Sequence, residues 1–215
     1  MFSQNQWYES TVFAVIVGVV SGLTVFLVDR LLVQVQGGDL ELLVIFTSGT
    51  IFGIISGAYF VYASKSTPLR KVLQYIVWVS ISAVSFFIAS IMSVGSVGGG
   101  IAGSITPDDF VTGFASAVSW GGLIGIGILM LGFRVFSKPH KKDVLYLLLA
   151  AFLIPMILSL FFVTPELSYT MAGVRTQNSV FMFCLYIFWQ TAVIVIFSRV
   201  LIRENKKVSQ IPASE

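Results

Sequence analysis

The sequence predicts an all-α fold: a polytopic transmembrane helical bundle of six helices with both termini cytoplasmic. Three observations lead there. Of the 215 residues, 56% are hydrophobic and only 11% are charged. A soluble domain carries about 25% charged residues, so this chain has too few to cover a water-facing surface. The apolar residues also fall into six long stretches, each near the roughly 20 residues that a helix needs to cross a hydrocarbon core about 30 Å thick. Finally, the Lys and Arg residues gather in alternate connections. Runs of this length in lipid must be helical, because only a helix satisfies its backbone polar groups internally. They also lack the alternation of a membrane β-barrel strand.

The helices are predicted at about residues 11–35, 42–63, 72–94, 110–133, 144–163 and 179–202. They form one transmembrane domain over residues 1–207, with 208–215 as a short cytoplasmic tail. The first helix follows Met1–Ser10, which contains no Lys or Arg and so lacks the basic start of a secretory leader. Small residues at Ser21–Gly22 are where a leader could end, and the spanning reading is preferred. Asp29 and Arg30 lie about 27 Å along this helix from Thr11 at 1.5 Å per residue. That is near the outer boundary, where water and a local ion pair would satisfy them.

The second helix carries Gly49, Gly53 and Gly57 at spacing four, and the first carries Gly18 and Gly22. Lipid tails are as apolar as leucine, so membrane helices associate through close backbone approach and polar contacts, which small residues permit. The third helix begins after Thr67–Pro68 and presents Ser82, Ser85, Ala89 and Ser93 on one side. The glycine-rich segment 95–104 reads as an external loop and hinge. It lacks the Gly-Lys-Ser/Thr ending of a nucleotide-binding loop. The fourth helix starts at Thr106-Pro107-Asp108-Asp109, a hydroxyl cap, a proline and two acids in the dipole-favoured first turn. Gly113, Ala117, Gly121 and Gly125 give it a small-residue face. In the fifth helix Pro155 removes one backbone hydrogen bond, frees a carbonyl and predicts a kink. Thr164-Pro165-Glu166 predicts a short external helix. In the sixth, Gln190 is the large polar side chain at mid-depth, suited to a substrate or to an interhelical tie. Trp120 and Trp189 lie well inside their spans, so each indole N–H needs a protein acceptor or a wet cavity. Trp7, Tyr8, Tyr59, Tyr62, Tyr75, Trp78 and Tyr146 fall near the proposed cytoplasmic boundary, where amphipathic rings rest well.

Orientation follows from the basic residues. Eleven of thirteen lie in three places: Lys65, Arg70 and Lys71; Arg134, Lys138, Lys141 and Lys142; and Arg199, Arg203, Lys206 and Lys207. The positive-inside rule puts these in the cytoplasm. The opposite side holds Arg30 and Arg175 among several acids. The two basic hairpins echo each other, Ser66-Thr-Pro-Leu-Arg-Lys against Ser137-Lys-Pro-His-Lys-Lys, each leading to a tyrosine with one insertion. A parallel repeat or common loop chemistry would account for the match.

The same residues exclude several activities. With one cysteine, Cys184, and one histidine, His140, the chain can form neither an internal disulfide nor a thiolate cluster, a bis-histidine haem or a two-histidine zinc helix. A Ser–His–Asp triad would have to use His140 among lysines, with Asp143 as its orienting acid. No cofactor or metal site is expected. The net charge of +3 marks topology rather than nucleic-acid binding. Six spans with abundant packing chemistry and little catalytic or ion-coupling chemistry suggest a non-catalytic plasma-membrane protein, a structural or accessory subunit of a membrane assembly. Its partners would be the bilayer and either another membrane protein or further copies of itself. The alternative is a channel or carrier for a small or weakly charged solute, passing the small-residue interface near Pro155 and Gln190.

Overall fold

The structure is a computed structural model that describes residues 11–36, 41–101, 107–163 and 179–209, with side chains over 11–32, 45–93, 111–163 and 179–206. The described residues are helical apart from short connections. The helices are α1 (Thr11–Gln36), α2 (Glu41–Ala63), α3 (Pro68–Ile101), α4 (Pro107–Phe133), α5 (Lys141–Phe162) and α6 (Ser179–Ser209). All six are long and apolar enough to span a membrane.

Each helix packs on the next in the chain, and α6 closes the ring against α1. The glycines show why and in what register. A methyl group at Gly18 would stand 2.5 Å from Thr191 Cα, and one at Gly22 would stand 2.7 Å from Ile187 Cα. Higher residues of α1 therefore meet lower residues of α6, and the pair is antiparallel. Gly49 meets Phe86 and Ala83, Gly53 meets Val79 and Ser82, and Gly57 meets Trp78 and Tyr75, so α2 and α3 are antiparallel too. Gly121, Gly125 and Gly132 descend α4 against Ser93, Ala89 and Ile81 of α3. Real side chains at these positions would push the backbones apart and forfeit dispersion contacts over the whole seam.

The axis of the ring is filled toward the end bearing the basic connections. The Phe60 ring lies 5.2 Å from Trp78, 5.5 Å from Phe133 and 6.1 Å from Phe197, centroid to centroid. Phe133 and Phe197 stack at 4.1 Å. Rings from α2, α3, α4 and α6 thus converge on one point, in edge-to-face and stacked geometries that add to their apolar contact. Nearer the helix centres, Trp189 stands 6.2 Å from Phe52 and 5.5 Å from Phe86.

Several expectations change. The segment 95–101 is not a loop: α3 continues through it to Ile101. Glycine disfavours helix by about 1 kcal/mol per residue, yet each residue that stays helical keeps a backbone hydrogen bond, and the ladder runs on. Residues 102–106 lie outside the described residues, as does the expected short helix at Thr164. Trp78, expected near the boundary, packs inside the bundle rather than on its surface. It is wholly buried, and its indole donates to Ser56 Oγ at 2.8 Å. Tyr59 is likewise buried, whereas Tyr62 and Tyr146 are exposed. Asp29 does not face water. It is 1% exposed and accepts from the Tyr186 hydroxyl at 3.4 Å. Arg30 makes no ion pair among the described residues. Its Nε and Nη2 are buried without a partner, and its guanidinium lies 5.4 Å from the Phe26 ring centroid.

Candidate functional site

The expected site residues fall into two groups. Gly49, Gly53, Gly57, Gly121 and Gly125 line helix seams within the chain and each touches a neighbouring helix. Ala117 is buried and Gly113 half-buried on α4. Pro155 and Gln190 are both buried but turn to different neighbours. Pro155 faces Gly122 of α4, and Gln190 faces Ser21 of α1.

Pro155 has a structural consequence that can be traced atom by atom. Lacking an N–H, it leaves the Ala151 carbonyl without its helical donor. The Ala151 oxygen lies against Gly122, so close that no side chain could stand there. The glycine Cα–H groups are therefore in place to make a weak hydrogen bond to the freed oxygen. The α5 helix remains continuous from Lys141 to Phe162.

Near the helix centres the interior turns polar. Ser21 Oγ–H donates to Gln190 Oε1 at 2.7 Å, and Ser85 Oγ–H donates to Gly125 O at 2.7 Å. Among the described residues, Gln190 Nε2, Trp189 Nε1, Thr191 Oγ1 and Ser82 Oγ are buried and find no hydrogen-bond partner. An unmet buried donor costs about 1–3 kcal/mol.

At the basic end the chemistry is charge-assisted. Arg203 Nη2 donates to both carboxylate oxygens of Asp143 at 2.8 Å, tying α6 to α5. The same carboxylate accepts from the backbone N–H of His140 at 3.0 Å, closing the first turn of α5. Asp143 thus serves both Arg203 and its own helix start. Asn205 Nδ2 donates to Ala63 O at 2.8 Å, and Gln74 Nε2 donates to Val135 O at 2.7 Å. Sequence reading missed these ties. Asp143 and Arg203 are 60 residues apart, and no local pattern pairs them. Among the described residues no three of His, Cys, Asp and Glu come together.

The outer surface has one unusual position. Trp120 is 58% exposed, about 20 Å from either end of α4 at 1.5 Å per residue. It touches Phe152 edge-on at 6.3 Å, and no described residue accepts from its indole. Gly127, two turns further along, has nothing within 4 Å of where a Cβ would stand.

The fold and these contacts define a class, the six-helix bundle with the composition of an integral membrane protein. Within that class the chain matches no protein family, no curated protein and no solved structure.

Proposed function

We propose that the chain is a non-catalytic, multi-pass protein of the plasma membrane, with both termini and its basic hairpins in the cytoplasm. It acts as a structural or accessory subunit of a membrane-protein assembly. The observation that carries this reading is Trp120. Its indole faces outward at mid-depth, where lipid tails offer no acceptor, and the open notch at Gly127 lies on the same side of α4, seven residues on. A transmembrane helix of another protein, offering an acceptor to the indole and seating in the notch, would satisfy both. The plug of rings around Phe60 argues against a wide pore. In-membrane crosslinking and co-purification of tagged protein test the reading. Trp120→Phe and Gly127→Leu are expected to reduce recovery of the partner several-fold without altering the melting temperature of the isolated chain. Undiminished recovery from both variants would remove the basis for the proposal.

A second reading, a channel or carrier for a small or weakly charged solute, is favoured by the unpartnered donors around Gln190 and Trp189. In reconstituted vesicles it predicts solute flux that Gln190→Leu abolishes.

A further inference from the structure

Among the described residues, the two basic hairpins carry more positive charges than there are acidic side chains at their end of the bundle. In sequence they share Ser-x-Pro-x-basic-Lys, at Ser66–Lys71 and Ser137–Lys142. In the structure both stand at the same end of the bundle, as the entries to α3 and α5. Arg70, Lys138, Lys141 and Lys142 are exposed and Lys71 is half-buried. Among the described residues only Asp143 and Glu204 are acidic at that end, and Asp143 is already held by Arg203. The first turn of α3 has no acidic residue. Apolar side chains sit flush with these cations: Leu69 is 83% exposed beside Arg70, Tyr146 is 55% exposed one turn after Lys142, and Val72, Leu73 and Leu145 are exposed with them.

We propose that these twin hairpins bind the phosphate headgroups of anionic phospholipids in the leaflet that adjoins them. The alternation of cation and bare hydrocarbon decides the class of partner. An acidic soluble protein would neutralise the lysines and leave Leu69, Val72 and Leu73 in water or against its own polar rim. A phospholipid satisfies both at once: its phosphate accepts from Arg70 and Lys71, or from Lys141 and Lys142, while its acyl chains cover the adjacent leucines and valine. Basic residues close to an anionic surface each strengthen binding by about fivefold, and added salt weakens the effect. The inference rests on the membrane reading of the fold but on neither the orientation nor the partner proposed above.

The test uses the whole chain purified in detergent, with phosphatidylglycerol or phosphatidylcholine added. Native mass spectrometry counts retained lipids, and the shift in melting temperature reports stabilisation. Phosphatidylglycerol is expected to be retained more strongly and to raise the melting temperature more. The variant Arg70→Gln/Lys71→Gln/Lys141→Gln/Lys142→Gln is expected to weaken its retention at least tenfold while melting normally without lipid. If that variant melts early, the two pairs are tested separately, and the wild type is followed through rising salt, where retention should fall. Equal retention of the two lipids, or retention indifferent to salt, would overturn the proposal. Equal stabilisation by inorganic phosphate would overturn it in favour of a free-anion site. Tighter binding of a polyglutamate peptide than of phosphatidylglycerol would overturn it in favour of an acidic protein. Failure of the chain to enter micelles at all would instead strike the membrane reading.

Discussion

At the scale of single residues, glycine and serine do most of the organising. A glycine matters here through what lies opposite it, and the structure separates two kinds. Gly18 faces the backbone of Thr191, with 2.5 Å between that Cα and the place of an added methyl group. Gly127 faces nothing within 4 Å. Gly18→Ala should therefore force α1 from α6 and cost about 1–3 kcal/mol, the range for overpacking. Gly127→Ala should be neutral, or stabilise by up to about 1 kcal/mol through helix propensity. Thermal unfolding of the purified chain measures both, and similar losses for the two would contradict the seam. Serine works differently. Buried in α2, Ser56 accepts from Trp78 and donates to the Phe52 carbonyl, so one hydroxyl satisfies an indole while finding its own acceptor within the helix. Ser85 reaches across to α4. The arginines divide by end. Arg203 is matched to a carboxylate, whereas Arg30, among the described residues, meets the face of Phe26.

At the scale of helices, α4 and α5 are coupled through one carbonyl. Pro155 strips Ala151 O of its donor, and Gly122 supplies the Cα–H groups that approach it. Pro155→Ala would restore a helical N–H to that oxygen. Gly122→Ala would drive a methyl into the same oxygen. The two changes act on one atom, so their effects on unfolding should not add. A double-mutant cycle is expected to show a coupling of at least about 0.5 kcal/mol, and strict additivity would refute the link. The proline itself was legible in the sequence, as was the free carbonyl it implies. Its partner was not, because Gly122 is one of several glycines in α4 and nothing local distinguishes it from Gly121. Likewise the glycine-rich run after Val94 looked like a hinge by composition, and the backbone ladder of α3 overrode that preference.

At the scale of the molecule, even helix number and alternate basic connections predict a definite sidedness. The lone cysteine, Cys184, is half-buried in α6, which makes a cysteine-labelling map practical. With Cys184 replaced by Ser, a cysteine placed at Lys141 or Lys207 should resist a membrane-impermeant maleimide added to intact cells and react after permeabilisation. One placed at Thr106 should react from outside. Labelling of position 141 in intact cells would invert the orientation, and labelling of 106 and 141 alike would break the six-span path. The ring plan gives this experiment its logic. Each helix is antiparallel to the next, so entries to α3 and α5 share an end with the last turns of α6.

Several properties were determined by the sequence alone: the all-helical class, the six long apolar helices (four of them to within three residues at each end), the gathering of positive charge at alternate connections, and the residues small enough to let helices touch. These are properties of composition and of spacing along one helix, which hydrocarbon thickness and backbone hydrogen bonding translate directly into structure. Which glycine meets which helix, which tryptophan is buried and which bare, and that Asp143 holds Arg203 were decided only by the tertiary structure. Such pairings depend on how each rod is rotated about its own axis. That rotation is chosen by the sum of many weak contacts across the seams, and no single stretch of chain contains it.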